Sequence, residues 1–466
     1  AHGRVGLGVL TIPLTYLFAR SVHRGADGLG HVAGVGAAAI LSVNVLATRD
    51  SHFAVSDTAL VFFMTLGLWQ IARSVDRATI RPLFYAAFAF GLGVSIKYTG
   101  LVMLGMLGLA VMERFFRAGS AERRRRLLLV GCAVLLTFVL AFALGSPHVL
   151  DEPRAFLDGL MSHNVRYSEG GSTWGYDSSR VAERGIFFHA LTSVPLAIGW
   201  PLTILALAGV VCALYRGRGG AFYVAFFAVF FHCVVLGPST VLFMRYTQPL
   251  FPALSVLAMI VPLDLLRRRN IAAAEWRARW ALPIVLLCLL FQPAFTGVQS
   301  VLRMSRQDTR DQALAWVASN VRGRDIVRSE SAFLAVPTVD QALVDACLPA
   351  LPDALHRPTV SWGRSGTRFQ ELVDQGPAGW GPIVKHYLER SSDLGSTATA
   401  RYVVQSYAQL PCGREVAYRT LSELPECYDE VARFSPGASD CDTVYDTFDM
   451  FMLPVSAPAG VERPGP

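Results

Sequence analysis

Long apolar runs fill residues 1–300, and they are too long and too continuous for a soluble core. Ten runs are predicted to be membrane helices, at about 5–20, 30–47, 57–73, 82–96, 97–113, 127–145, 186–214, 221–237, 241–266 and 280–300. A bilayer core takes about 20 apolar residues per helix, and most of these runs are close to that length. From about Arg303 the pattern changes to that of an ordinary globular sequence. Ala313, Leu314, Trp316, Val317 and Val321 recur at helical spacing behind Asp308-Thr309-Arg310-Asp311, and Gly323 closes the segment. Short β-like runs follow at 326–327, 333–336 and 402–406, while 350–400 is rich in Pro, Gly and Ser. The expected architecture is an α-helical polytopic membrane domain over 1–302 and a small α/β domain over 303–466.

Arginines give the loops a direction. Basic residues follow the first, third, fifth, seventh and ninth runs: Arg20 and Arg24; Arg73, Arg77 and Arg81; Arg114, Arg117 and 123–126; Arg216 and Arg218; Arg267, Arg268, Arg269, Arg277 and Arg279. Every second loop is basic, which assigns those loops to the cytoplasm and the others, with the C-terminal domain, to the exoplasmic side. The N-terminus then begins outside without Met or signal, so at least one further span is expected upstream of Ala1. Net charge follows the same split, at +12 for 1–300 and −5 for 301–466. That is a topology signal, and no basic patch interleaved with aromatics marks a nucleic-acid partner. Cys132, Cys212, Cys233 and Cys288 lie in apolar runs. Cys347, Cys412, Cys427 and Cys441 lie in the acidic domain, where an oxidising compartment would favour two disulfides.

With 17% charged residues, the chain has few ionisable groups to place in a membrane, and those at span mouths are costly. All the candidates fall at predicted exoplasmic ends. His52 and Asp57 enter the third span and offer an imidazole and a carboxylate for acid–base work; for Asp57 a simple helix cap is an even alternative. Asp50, in the same segment, reads as a solvated loop residue. Lys97, one of two lysines in the chain, sits between two short spans and can hold an anionic phosphate or merely snorkel. Arg245, beside Tyr246, suits bidentate binding of a phosphate or carboxylate, or a structural pair with an aspartate of another span. His148 ends the sixth span. His163 lies in the long loop, where Phe156, Leu157, Leu160 and Met161 suggest an amphipathic helix at the interface.

At these residues the chain resembles the polyprenyl-phosphate-sugar-dependent glycosyltransferases of the GT-C fold, and among them bacterial relatives of the dolichyl-phosphate-mannose protein mannosyltransferases (glycosyltransferase family 39). The resemblance rests on SHFAVSD at 51–57, IKYTG at 96–100, GSPHVLDEPRAF at 145–156, FMRYTQPLFP at 243–252, DTRDQALAWV at 308–317 and the closing VERPGP. It implies transfer of a sugar from a lipid monophosphate carrier at the outer face of a bacterial plasma membrane. Asp57 and His52 would line the site, and Lys97 and Arg245, with Tyr246, would face the carrier phosphate. The family's main catalytic acid lies in an exoplasmic loop after its first span, a loop not found in this sequence.

The chemistry of the residues fits that expectation. Sugar transfer from a phosphate donor needs a base for the acceptor hydroxyl and cations for the leaving phosphate. Lysine and arginine can supply the cations; no metal-ligand cluster is evident, although a divalent ion is compatible with the reaction. The expected partners are a lipid-linked sugar donor, the membrane, and a protein, lipid or glycan acceptor. Two other functions use the same residues differently. A transporter or flippase of lipid-linked sugar would show repeats and midplane polar residues, and a non-catalytic membrane subunit would use Lys97 and Arg245 only structurally.

Overall fold

Helices account for nearly all of the described residues up to 305 in the computed structural model. It describes residues 2–23, 29–52, 55–76, 79–168, 185–238, 244–268 and 276–305, together with 315, 319, 327–329, 402–404, 408–410 and 414–416. The chain divides into two compact units. One holds 1–171 and 178–302, and the other holds 172–177 and 303–466.

In the first unit the helices are α1 (His2–Val22), α2 (Leu29–Ser42), α3 (Val45–His52), α4 (Ser56–Asp76), α5 (Arg81–Ile96), α6 (Met103–Arg117), α7 (Ala121–Gly145), α8 (His148–Asp151), α9 (Pro153–Ser168), α10 (Gly185–Phe188), α11 (Val194–Ile198), α12 (Trp200–Arg216), α13 (Gly219–Phe231), α14 (Leu250–Ala258), α15 (Ile260–Arg268) and α16 (Trp276–Met304). Six helical segments among the described residues are long and apolar enough to cross a membrane: 56–75, 98–117, 121–145, 219–236, 250–267 and 284–302. Shorter apolar helices cover 6–22, 81–96, 185–198 and 200–216. The result is a multi-pass membrane protein.

Two of the expected spans are not straight rods. The run read as 30–47 ends at Ser42 and is followed by α3, bent by 58° from α2. Asn44 makes the corner, its side-chain oxygen accepting from the Ala47 amide at 2.8 Å, so its preference for capping overrides the apolar continuity. The run read as 186–214 is interrupted at Gly199, whose φ of 81° no L side chain adopts readily.

The bundle packs around α4 and α14. Leu60, Met64, Leu68 and Ile71 of α4 are buried, and α4 packs on α1, α5 and α13. Small residues let backbones meet, as expected where lipid supplies no hydrophobic drive. A Cβ at Gly209 of α12 would collide with the Leu257 carbonyl of α14, and one at Gly91 of α5 with the Phe138 carbonyl of α7. The outer face of α7 shows the opposite character: Leu128, Leu129, Leu135, Leu136, Leu140 and Leu144 are all exposed, a surface suited to lipid.

The described strands of the second unit are short. β1 (Val327–Ser329) pairs in parallel with β2 (Tyr402–Val404), and β3 (Ala408–Leu410) pairs antiparallel with β4 (Arg414–Val416). β1 and β2 overlap two of the predicted runs. The helix expected at 308–321, the run at 333–336 and the four cysteines proposed for disulfides lie outside the described residues, apart from single positions 315 and 319.

Candidate functional site

Helix irregularities gather at one end of the bundle. A 3-10 turn spans Tyr98–Val102, π-helical turns span His189–Ser193 and His232–Leu236, and a second 3-10 turn spans Met244–Thr247. The Met244–Thr247 turn packs against both π turns and against α3, and the Tyr98–Val102 turn packs against the second π turn. Such departures from α-geometry are frequent at functional sites.

Lys97 owes its position to one of these breaks. α5 ends at Ile96, and Lys97 takes an extended backbone (φ −156°, ψ 126°) before the 3-10 turn begins. Its amide still donates to the Gly93 carbonyl at 3.2 Å, while its own carbonyl accepts from Gly100 at 3.0 Å. Gly93 and Gly100 leave room for Leu60 of α4, 3.5 and 3.2 Å from where their Cβ atoms would be. Tight seating of α4 brings its first turn beside Lys97. There the Lys97 Nζ donates to Asp57 Oδ1 at 2.6 Å, with side-chain exposures of 22% and 4%.

Asp57 lies in the first turn of α4, and its carboxylate faces a cation of another span. The same ammonium lies 4.4 Å from the centroid of the Tyr246 ring, a cation–π contact. Arg245, the neighbouring residue on the 3-10 turn, and Asp50 both act on the Lys97 charge through Coulombic interaction. Asp57, Lys97, Tyr246 and Arg245, from three separate parts of the chain, therefore meet.

Asp50 corrects the sequence reading. It is fully buried, not a solvated loop residue. Arg49, also buried, reaches Asp50 Oδ1 through Nε at 2.8 Å and through a terminal guanidinium nitrogen at 2.6 Å. The Gln248 side-chain amide donates to the other carboxylate oxygen. The cause is the bend after α2, which turns α3 inward against the Met244–Thr247 turn, where charges must be paired.

The three histidines proposed from sequence belong to α3, α8 and α9. His52 is exposed at the end of α3, its Nδ1 bonded to the Thr48 carbonyl at 2.8 Å. His148 is exposed in α8 and packs on Phe156, ring centroids 6.4 Å apart; Phe156 in turn meets Tyr98 edge-on at 5.3 Å. His163 belongs to α9, but its side chain lies outside the described residues. Leu157 and Met161 of that helix are exposed, in keeping with an interfacial helix.

Two other histidines, in the π turns, escaped the sequence reading because each is a single polar residue in an apolar run. His189 is fully buried, its Nδ1 paired with Ser193 Oγ at 2.9 Å and its Nε2 without a hydrogen-bond partner. His232 Nε2 bonds to the Ile186 carbonyl at 2.8 Å. Among the described residues no group of three or more His, Cys, Asp or Glu could hold a metal ion. The arrangement offers cations and an aromatic ring at a span mouth, which is the chemistry of anion binding.

Residues 7–150 match the family model of dolichyl-phosphate-mannose-protein mannosyltransferase. No curated protein matches the chain. Among solved structures, the chain is similar to ArnT from Cupriavidus metallidurans bound to undecaprenyl phosphate, at 15% identity and a TM-score of 0.43, covering 72% of this chain and 69% of that one. The apo state of the same protein gives 16% identity and a TM-score of 0.41 over 72% and 68% of the two chains. The apo oligosaccharyltransferase of Archaeoglobus fulgidus gives 16% identity and a TM-score of 0.40 over 68% of this chain. The matched region spans about half, 46%, of that protein. Residues 7–150 of this multi-pass membrane protein, which hold Asp50, His52, Asp57 and Lys97, are thus similar to the dolichyl-phosphate-mannose-protein mannosyltransferase family model.

Proposed function

We propose that this protein is a membrane glycosyltransferase that moves a sugar from a polyprenyl-monophosphate carrier to an acceptor hydroxyl at the exoplasmic face. The observation that carries the reading is Lys97, held 2.6 Å from Asp57, stacked over Tyr246 and within Coulombic reach of Arg245. The arginine alternation supports an exoplasmic position for this end of the bundle. A carrier with one phosphate and a lipid tail needs cations at the interface and apolar surface below it.

In the transfer, the acceptor oxygen bonds to the anomeric carbon as the bond from that carbon to the phosphate oxygen breaks. The acceptor proton passes to a base, and the carrier leaves as a phosphate monoester. Lys97 and Arg245 neutralise the charge that grows on the leaving oxygen. Asp57 positions the Lys97 ammonium and keeps it charged. The Asp57 carboxylate is already committed to that ammonium, so Asp57 is a positioning residue in this scheme. Tyr246 presents its ring face to the ammonium.

The test is incubation of the full-length protein in membranes with labelled polyprenyl-phosphate sugars. The expected result is label in an acceptor fraction and release of polyprenyl phosphate, both lost in Lys97→Met. Label that crosses the membrane still attached to its carrier would instead establish a flippase.

A further inference from the structure

At the other end of the bundle a cavity of about 380 Å³ opens between the end of α1 and the α12–α13 turn, lined by Val22, Arg216, Arg218, Gly219, Gly220 and Ala221. It is distant in sequence from every residue of the proposed donor site, and the proposal below is independent of that site.

The two arginines flank a tight turn. Gly217 ends α12 at φ 63° and Gly219 begins α13 at φ 78°, so the backbone doubles back within two residues. A Cβ on Gly219 would meet nothing within 4 Å, which leaves the floor of the cavity open. Arg216 is fixed by an ion pair with Asp264 of α15 yet stays 44% exposed. A guanidinium carries five N–H donors, more than one carboxylate can take. Arg218 is exposed and has no ion-pair partner among the described residues.

Basic groups also lie beside the cavity. His23, directly after Val22, is buried with Nε2 bonded to the Val256 carbonyl at 3.0 Å, and Arg267 donates to the His23 carbonyl. Arg216, Arg267 and Asp264 all act on His23 through Coulombic interaction. Arg216 and Arg218 both line the cavity, Asp264 pairs with Arg216, and Val22 supplies an apolar edge. The arginine alternation assigns this end to the cytoplasmic leaflet, where anionic headgroups lie.

We infer that this cavity binds a phosphate oxyanion, carried by the headgroup of an anionic phospholipid of the cytoplasmic leaflet. Arg216 and Arg218 grip the phosphate, and the exposed apolar flank of the bundle receives the acyl chains.

The test uses the full-length protein in nanodiscs of phosphatidylcholine with a minor fraction of phosphatidylglycerol, with retained lipid measured by native mass spectrometry. Phosphatidylglycerol should be retained above its bulk fraction. Arg218→Gln should lower that enrichment about fivefold, as expected for one cation at a membrane surface. The Arg216→Gln/Asp264→Asn double variant, which removes both halves of the ion pair together, should lower it without leaving a lone buried charge. Arg125→Gln, an exposed arginine on α7, should leave it unchanged. A second arm titrates inorganic phosphate onto protein in phosphatidylcholine alone. Arg218-dependent binding there would identify a free anion as the ligand, and enrichment of the lipid without phosphate binding would identify the headgroup. The proposal is overturned if neither ligand binds, if enrichment survives both arginine variants, or if Arg125→Gln abolishes it equally.

Discussion

Two carboxylate–cation pairs lie at the same end of the bundle, and they differ in how completely they are closed. Arg49 and Asp50 are exposed by only 1% and 0%, and Gln248 takes the remaining carboxylate oxygen. Asp57 and Lys97 keep an opening on the cation side: Lys97 is 22% exposed and has Tyr246 as its wall and Arg245 as a like-charged neighbour. The closed pair lies wholly inside the protein, where it holds α3 against the Met244–Thr247 turn. In the open pair the ammonium keeps a partly exposed side, which an incoming anion can reach. What separates the two pairs is thus residual exposure; the residue types are alike.

The largest effect should come from breaking the closed pair. Asp50→Ala leaves the Arg49 guanidinium buried and uncompensated, at a cost of about 3–5 kcal/mol. Thermal unfolding in detergent should show that loss, and replacing Arg49 and Asp50 together by apolar residues should recover most of it. If the double replacement also abolished sugar transfer while restoring stability, the pair would belong to the chemistry and the contrast would fail.

Lys97→Met should act differently. Transfer should fall by about two to three orders of magnitude, the scale for losing a preorganised charge at the developing anion. Adding Asp57→Asn should restore stability by removing the stranded carboxylate, but should not restore transfer. Arg245→Gln comes next: donor use should weaken about 10- to 100-fold, corresponding to a charge-assisted contact of about 1.5–3 kcal/mol, while unfolding temperature changes little. Tyr246→Leu should be mildest, with a few-fold loss matching a cation–π contact of about 0.5–1 kcal/mol. Initial rates against donor concentration separate these cases.

The sequence made much of this legible because membranes penalise polarity. Apolar runs located the helices, and each of the ten predicted runs holds at least one. Lys97 and Arg245 stood out because a cation at a span mouth needs a reason. Asp50 was missed because a charge beside a presumed loop looks solvated, and only the 58° bend after α2 turns it inward. Gln248 was missed for the same reason, since nothing in its neighbours announces a carboxylate almost 200 residues away. His189 and His232 sit inside apolar runs whose periodicity does not reveal a π turn. The interruption at Gly199 depends on a backbone angle that a lone glycine permits but does not demand. Pairing across distant segments is tertiary information, and a single sequence carries it only as unexplained polarity.

The central claim is that the open pair, and not the closed one, receives the carrier phosphate. The most direct measurement is the affinity of a polyprenyl monophosphate for the full-length protein and for two charge-neutral double variants, Lys97→Met/Asp57→Asn and Arg49→Met/Asp50→Leu, each first shown to be folded. The account predicts that the first double variant loses at least about tenfold in affinity, the equivalent of one charge-assisted contact, while the second binds as the unmodified protein does. Equal affinity in the first variant, or an equal loss in both, would contradict it.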